Sequence, residues 1–149
     1  MKIFTVLVFV LSVVQPRVLF AQAKQDSITT GSLTIVVQGL RSDKGTVQIG
    51  LFNSEETWKS GKAKFRGAKV GINGGKAIWV VEDIPYGIYA VRLFHDENGN
   101  DKLDANLFGM PSEDYGFSNN AKGMFGPPGF DKAKFSFDEG HNEIIITIS

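Results

Sequence analysis

The 149-residue chain contains no cysteine, and that absence removes several classes at once. A disulfide framework, a thiol nucleophile and every cysteine-ligated zinc or iron–sulfur site are excluded. Histidine is scarce too: His95 and His141 are too few for a histidine-rich transition-metal centre. Neither sign of charge is in excess, with 16 basic residues against 16 acidic. A nucleic-acid partner does not fit that balance, because such binding rests on a net basic surface facing phosphates. What the chain does have is 42% apolar residues, enough for a real core in a length that suits one domain.

The one long apolar run lies at the amino terminus. Lys2 precedes Ile3 to Val14, Gln15-Pro16 interrupts the run, and Ala21-Gln22-Ala23 follows. This is the pattern of a secretory signal peptide over residues 1–23, cut after Ala21 or Ala23. The run is shorter than the roughly 20 residues a membrane span needs, so no span is expected in the mature chain. Losing Lys2 and Arg17 leaves 14 basic against 16 acidic residues, and no cysteine stands at the cleavage region to carry a lipid. The expectation is an exported protein, periplasmic or extracellular, that is stable without disulfides.

Residues 24–31 read as a short polar leader and 32–149 as the domain. Leu33, Ile35 and Val37 alternate with polar neighbours, as do Val47, Ile49 and Leu51, which predicts two half-buried strands. The turn residues R-S-D-K-G between them predict a hairpin. Asn53 to Ser60 suits one helical turn, capped by Ser54 or Asn53, with Trp58 as a plug. Strands over about 63 to 72 and 76 to 82 flank Asn73-Gly74-Gly75, a type I′ hairpin signal. The most β-prone stretch is Gly87 to His95. Alternation around Ala133, Phe135 and Phe137, and around Ile144, Ile146 and Ile148, predicts two closing strands. The fold expected is all-β, a single β-sandwich of about seven strands, with a small barrel as the alternative.

Asp96 to Phe130 breaks this pattern. Residues 95–130 carry six glycines, five asparagines and three prolines, so no regular strand is expected there. Leu103, Leu107, Phe108, Met110, Tyr115, Phe117, Met124, Phe125 and Phe130 suggest a loop packed onto the sandwich. Were the aromatics exposed instead, they could stack on sugars or on a protein partner.

The first part of the loop carries chemistry. Asp96, Asn98, Asn100 and Asp104 stand at relative positions 1, 3, 5 and 9, the opening of a calcium loop, with Leu103 at the apolar position 8. These four would offer side-chain oxygens and Lys102 its carbonyl, while Glu113 or Asp114 completes the shell. Asp101 stands where an EF-hand has glycine and Leu107 where it has glutamate, so this is no EF-hand. Residues 96–114 hold six acids against Lys102 alone, which favours a counter-ion. The competing readings are an ion-free loop of Asx-turns and a different metal.

Other constellations are weaker. His95 and Asp96 are adjacent on a strand and face opposite sides, so they make no dyad. Ser118 sits in G-F-S-N-N, which lacks the second glycine of a nucleophile elbow. Residues 59–76 carry Lys59, Lys62, Lys64, Arg66, Lys69 and Lys76 with no acid. That stretch is a solvated strand face, a contact for an anionic partner, or a partner of the acidic loop.

The run from Ile84 to Phe130 includes I-P-Y-G-I-Y-A-V, F-H-D-E-N-G-N-D-K-L-D, G-M-P-S-E-D-Y-G-F-S-N-N and F-G-P-P-G-F. It resembles the bacterial family called domain of unknown function 2141, over about residues 31–149. The resemblance implies an exported β-sandwich of Ig-like or transthyretin-like outline and no reaction. The functional expectation is a binding or structural module with a structural calcium site, its partner a protein or polysaccharide of the cell envelope. A hydrolase using Glu113, Asp114 or His95, and an envelope assembly factor, are the alternatives.

Overall fold

A computed structural model describes residues 29–148; the signal-peptide expectation and most of the leader lie outside them. Eight strands form two sheets. Strands β1 (Thr30–Gln38), β4 (Lys76–Pro85) and β8 (Glu143–Thr147) make the smaller sheet, in the order β4-β1-β8. The larger has the order β3-β2-β5-β6, from β2 (Thr46–Phe52), β3 (Arg66–Gly71), β5 (Gly87–Asp96) and β6 (Tyr115–Phe117), with β7 (Phe135–Phe137) on the far end of β5. The two sheets make the expected all-β sandwich. β1 begins at Thr30, inside the stretch read as leader, because Thr30 and Gly31 already pair with Pro85 and Ile84.

Alternation decides which residues meet between the sheets. Leu33, Ile35 and Val37 of β1, Val47, Ile49 and Leu51 of β2, and Val91 and Leu93 of β5 are almost fully buried in one core. On β4, Ala77 and Val81 point inward, while Ile78 and Val80 face solvent. A bulge then adds a residue opposite Gly31 and Leu33, with Asp83 at φ 54, and turns Ile84 back to the core.

Three expectations need correction. β1 and β2 are not a hairpin: β1 pairs with β4 and β8, and β2 with β3 and β5. Both strands bury a full face, so placing them in opposite sheets lets those faces cover each other. Gly74 and Gly75 do adopt positive φ, at 60° and 71°, but the expected hairpin stops at the Asn73–Lys76 bridge, where its strands part to different sheets. The closing strand is shorter than its alternation suggests. Phe130–Ala133 winds into one helical turn, α2, and only Phe135–Phe137 is strand.

A second, smaller core covers the Phe52–Ala90 end of the outer face of the larger sheet. The helix α1 (Glu55–Ser60) is capped by Ser54, whose Oγ accepts from the Thr57 amide, and closes at Gly61 in the left-handed region. Trp58 is 2% exposed and meets Phe52 edge-on at 5.6 Å, with Phe117 and Phe130 alongside. Its Nε1 donates to the Pro128 carbonyl at 2.9 Å and so anchors the segment before α2. Above this plug the outer face stays open. There the register sets Lys69, Gln48, Phe94 and Tyr115 in one row and Gly67, Gly50, Arg92 and Phe117 in the next.

Candidate functional site

The long loop leaves β5 at its last residue, Asp96, which is fully buried. One carboxylate oxygen accepts from the amides of Gly99 and Asn100, and the other from Asp101 and from Gln48 Nε2. Burial alone would raise the Asp96 pKa, but the hydrogen bonds from Gln48, Asp101, Gly99 and Asn100 outweigh it and hold the carboxyl below the ordinary carboxylate range. The loop therefore winds around this one side chain. Gly99 and Asp101 take positive φ to do so.

Three of the remaining predicted ligands meet. Asn98 Nδ2 donates to Asp104 Oδ2 at 2.6 Å, and Asn100 Nδ2 reaches both Asp104 oxygens at 3.0 and 3.1 Å. The Oδ1 atoms of Asn98 and Asn100 accept from the amides of Asn100 and Lys102, in Asx-turns. Glu113 is brought back to the loop but spans its backbone, one oxygen accepting from the Glu97 amide and the other from the Asp104 amide. Among the described residues no three carboxylate or imidazole groups cluster as metal ligands do. Oxygen donors here would have to include the Asn amides and main-chain carbonyls, which suit a hard cation such as calcium.

The acids that crowd the sequence are spread among protein partners. Asp101 pairs with Lys69 at 2.5 Å and accepts from Gln48. Asp114, nearly buried, is gripped by Arg41, and Glu97 accepts from Ser42. So the 59–76 basic stretch does meet the acidic loop, among the described residues through Lys69. Sequence reasoning missed Gln48, Arg41 and Ser42. Gln48 was visible only as a polar alternation residue of β2, and Arg41 and Ser42 only as turn residues.

His95 points inward, opposite Asp96, and is 1% exposed. Its Nε2 lies 2.7 Å from the Lys44 carbonyl, which only accepts, so that nitrogen carries a proton. Nδ1 has no hydrogen-bond partner among the described residues and faces Glu97 Oε1 at 3.7 Å. Ser118 is also buried; its hydroxyl donates to the Ala133 carbonyl at 2.5 Å and accepts from the Val91 amide. All the residues considered for catalysis thus have structural partners in this fold.

Beyond the ligand cluster, two expectations about the loop change. Tyr115–Phe117, inside the stretch judged unable to form strand, pairs with β5 as β6, because Gly116 lies against Ile146 and Ile148 where a side chain would not fit. Of the apolar residues expected to pack onto the sandwich, Phe117 does so against Trp58, but most of the others do not. Leu107, Phe108, Met124 and Phe125 are almost wholly exposed, and Met110 largely so. The 104–112 segment is an arm closed by the Ala105–Pro111 bridge, with Asn106 Oδ1 accepting from the Phe108 and Met110 amides. Its backbone hydrogen bonds are satisfied within the arm, so the arm keeps its shape with Leu107, Phe108 and Met110 at an exposed tip.

A family model described as an uncharacterized protein conserved in bacteria, DUF2141, matches residues 35–145. No curated protein and no solved structure matches the chain. No described helix is long and apolar enough to cross a membrane.

Proposed function

The chain belongs to the DUF2141 family, and on that premise we propose that it is an exported binding module of the bacterial envelope whose 96–104 loop takes up calcium as a structural ion. The observation that carries the calcium reading is the gathering of Asn98, Asn100 and Asp104 in a loop wound on the buried Asp96. An amide exchanges its nitrogen and oxygen ends by a half-turn of the side chain. With a cation at the Asp104 carboxylate, the two amides that now donate to it turn their oxygens inward instead. Asp96 and the Lys102 carbonyl are the other donors. The ion would relieve the negative charge that Lys69 and Arg41 only partly offset. Export is supported by Lys2, the apolar run Ile3 to Val14 and Ala21-Gln22-Ala23. Binding is favoured over catalysis by the engagement of Glu113 and Asp114 in holding the loop and of His95 with the Lys44 carbonyl.

Calorimetric titration of calcium into chelator-treated protein, with melting curves in calcium and in EDTA, tests the ion. The expected result is binding heat and a higher melting temperature in calcium, about 2.7 kcal/mol of stabilisation at a hundredfold excess over Kd. Both should vanish in Asp104→Ala. A flat titration with superimposable melts overturns the calcium reading.

A further inference from the structure

The outer face of the larger sheet, above the Trp58 plug, combines two kinds of side chain. Phe94 and Phe117 are half-buried and Tyr115 is 40% exposed, its ring edge-on to Phe117 at 5.8 Å. Beside these rings stand cations. Arg92 is held over the rings of Trp58 and Phe52, at 4.4 and 4.8 Å from their centroids, and donates to the Trp58 carbonyl. Lys64 lies across the sheet. A Cβ on Gly67 would sit 2.6 Å from its Cε, and one on Gly50 would sit 3.5 Å from its Cδ. Two glycines side by side on neighbouring strands thus make a bed for one lysine stem. Lys62 and Lys64 have no ion pair among the described residues, so this part of the surface is positive and unneutralised.

We propose that this face binds an acidic polysaccharide, uronate rings stacking on Tyr115 and Phe117 while their carboxylates meet Lys64 and Arg92. This rests on the binding-module reading and names its ligand. Charge complementarity selects an anionic occupant. A protein partner would call for a continuous apolar centre with charge at its rim. Here Phe117 stands beside Arg92 and Phe94 beside the Gln48 amide, which suits a sugar with apolar C–H faces and polar edges. The wholly apolar tip at Leu107 and Phe108 belongs to a different element, the 104–112 arm.

Affinity electrophoresis of the purified protein in native gels tests this, with polygalacturonate as ligand, hydroxyethylcellulose as neutral control and EDTA throughout. EDTA keeps calcium from bridging protein and polymer, so glycan binding and calcium binding fail or succeed separately. Retardation by polygalacturonate alone is expected. Tyr115→Ala should weaken it about tenfold, as loss of an aromatic anchor does. Lys64→Gln, which keeps the stem over the glycines, should weaken it about threefold. Melting curves of both variants should match the wild type. Equal mobility in the two gels overturns the proposal, as does retardation undiminished in Tyr115→Ala, which would mean charge attraction without a sugar site.

Discussion

The guanidinium of Arg41 forks onto the carboxylate of Asp114, Nε donating to Oδ2 at 2.7 Å and Nη2 to Oδ1. Arg41 lies on the connection that crosses from one sheet to the other, and Asp114 immediately precedes β6, so the pair ties the crossing to the end of the acidic loop. That hydrogen bond, and then the Asp114 charge, hold Arg41 still more firmly protonated than a free guanidinium. Arg41→Ala leaves a nearly buried carboxylate without its counter-charge, and a lower melting temperature is expected. Arg41→Lys, with charge but no fork, should fall between the two. If Arg41→Ala melts like the wild type, the pair is ornamental.

The Asp96 hydrogen bonds give the loop a pH dependence with a definite sign. Its folded-state pKa lies below the unfolded value, so the carboxylate stabilises the fold above about pH 4. That contribution is lost as pH falls from there through the lower folded-state pKa. The Gly99, Asn100 and Asp101 amides donate to this carboxylate. Their NMR resonances should shift together over that acid range, at constant calcium or in EDTA. In Asp96→Asn the joint shift should disappear. Amides that titrate independently, or only above pH 4, would contradict the account.

Strand positions and the core were legible because period-two alternation reports directly on burial: Leu33, Ile35, Val37, Val47, Ile49 and Leu51 point where their spacing says. Pairing was not legible in the same way. Turn residues such as R-S-D-K-G say that the chain changes direction, not which sheet it enters. Here Asp43 in that turn accepts from the Gly74 and Gly75 amides, an association 31 and 32 residues away that no local pattern encodes. The calcium-loop spacing marked the loop in which Asn98, Asn100 and Asp104 meet and which winds on Asp96. Their long-range partners Gln48, Arg41 and Lys69 come from other strands and connections, and so were visible only once the sheet register was known. The exposed tip at Phe108 was missed because apolar content normally reports burial, whereas this arm is held by its own hydrogen bonds and not by packing.

Two glycines with positive φ should respond very differently to alanine. At Gly45, φ is 70° and an added Cβ would lie 1.9 Å from the Asp96 carbonyl oxygen. At Gly74, φ is 60° and nothing stands within 4 Å. Gly74→Ala therefore pays only the left-handed backbone cost, about 1 kcal/mol. Gly45→Ala adds a clash with backbone that cannot move without displacing the base of the acidic loop, so it should cost clearly more and disturb the Asp96 amide network. Denaturant melts of the pair measure the difference. Equal losses would mean that the connection gives way freely at Gly45.

Trp58 should be the most costly single truncation outside the main core. It is 2% exposed, touches Phe52, Phe117 and Phe130 edge-on, and carries Arg92 over its face. Trp58→Ala empties that space, at about 3–5 kcal/mol. Trp58→Phe keeps an aromatic ring but strands the buried Pro128 carbonyl that Nε1 satisfies, at about 1–3 kcal/mol. The two variants separate packing from anchoring. If the Pro128 bond ties down the segment before α2, hydrogen exchange over 121–130 should accelerate in Trp58→Phe while β2 and β5 stay protected. Trp58→Ala should in addition release Arg92 from its aromatic seat and weaken polygalacturonate retardation without any change to Tyr115 or Lys64. Unchanged exchange over 121–130 in both variants would mean that the segment is held by something other than this tryptophan.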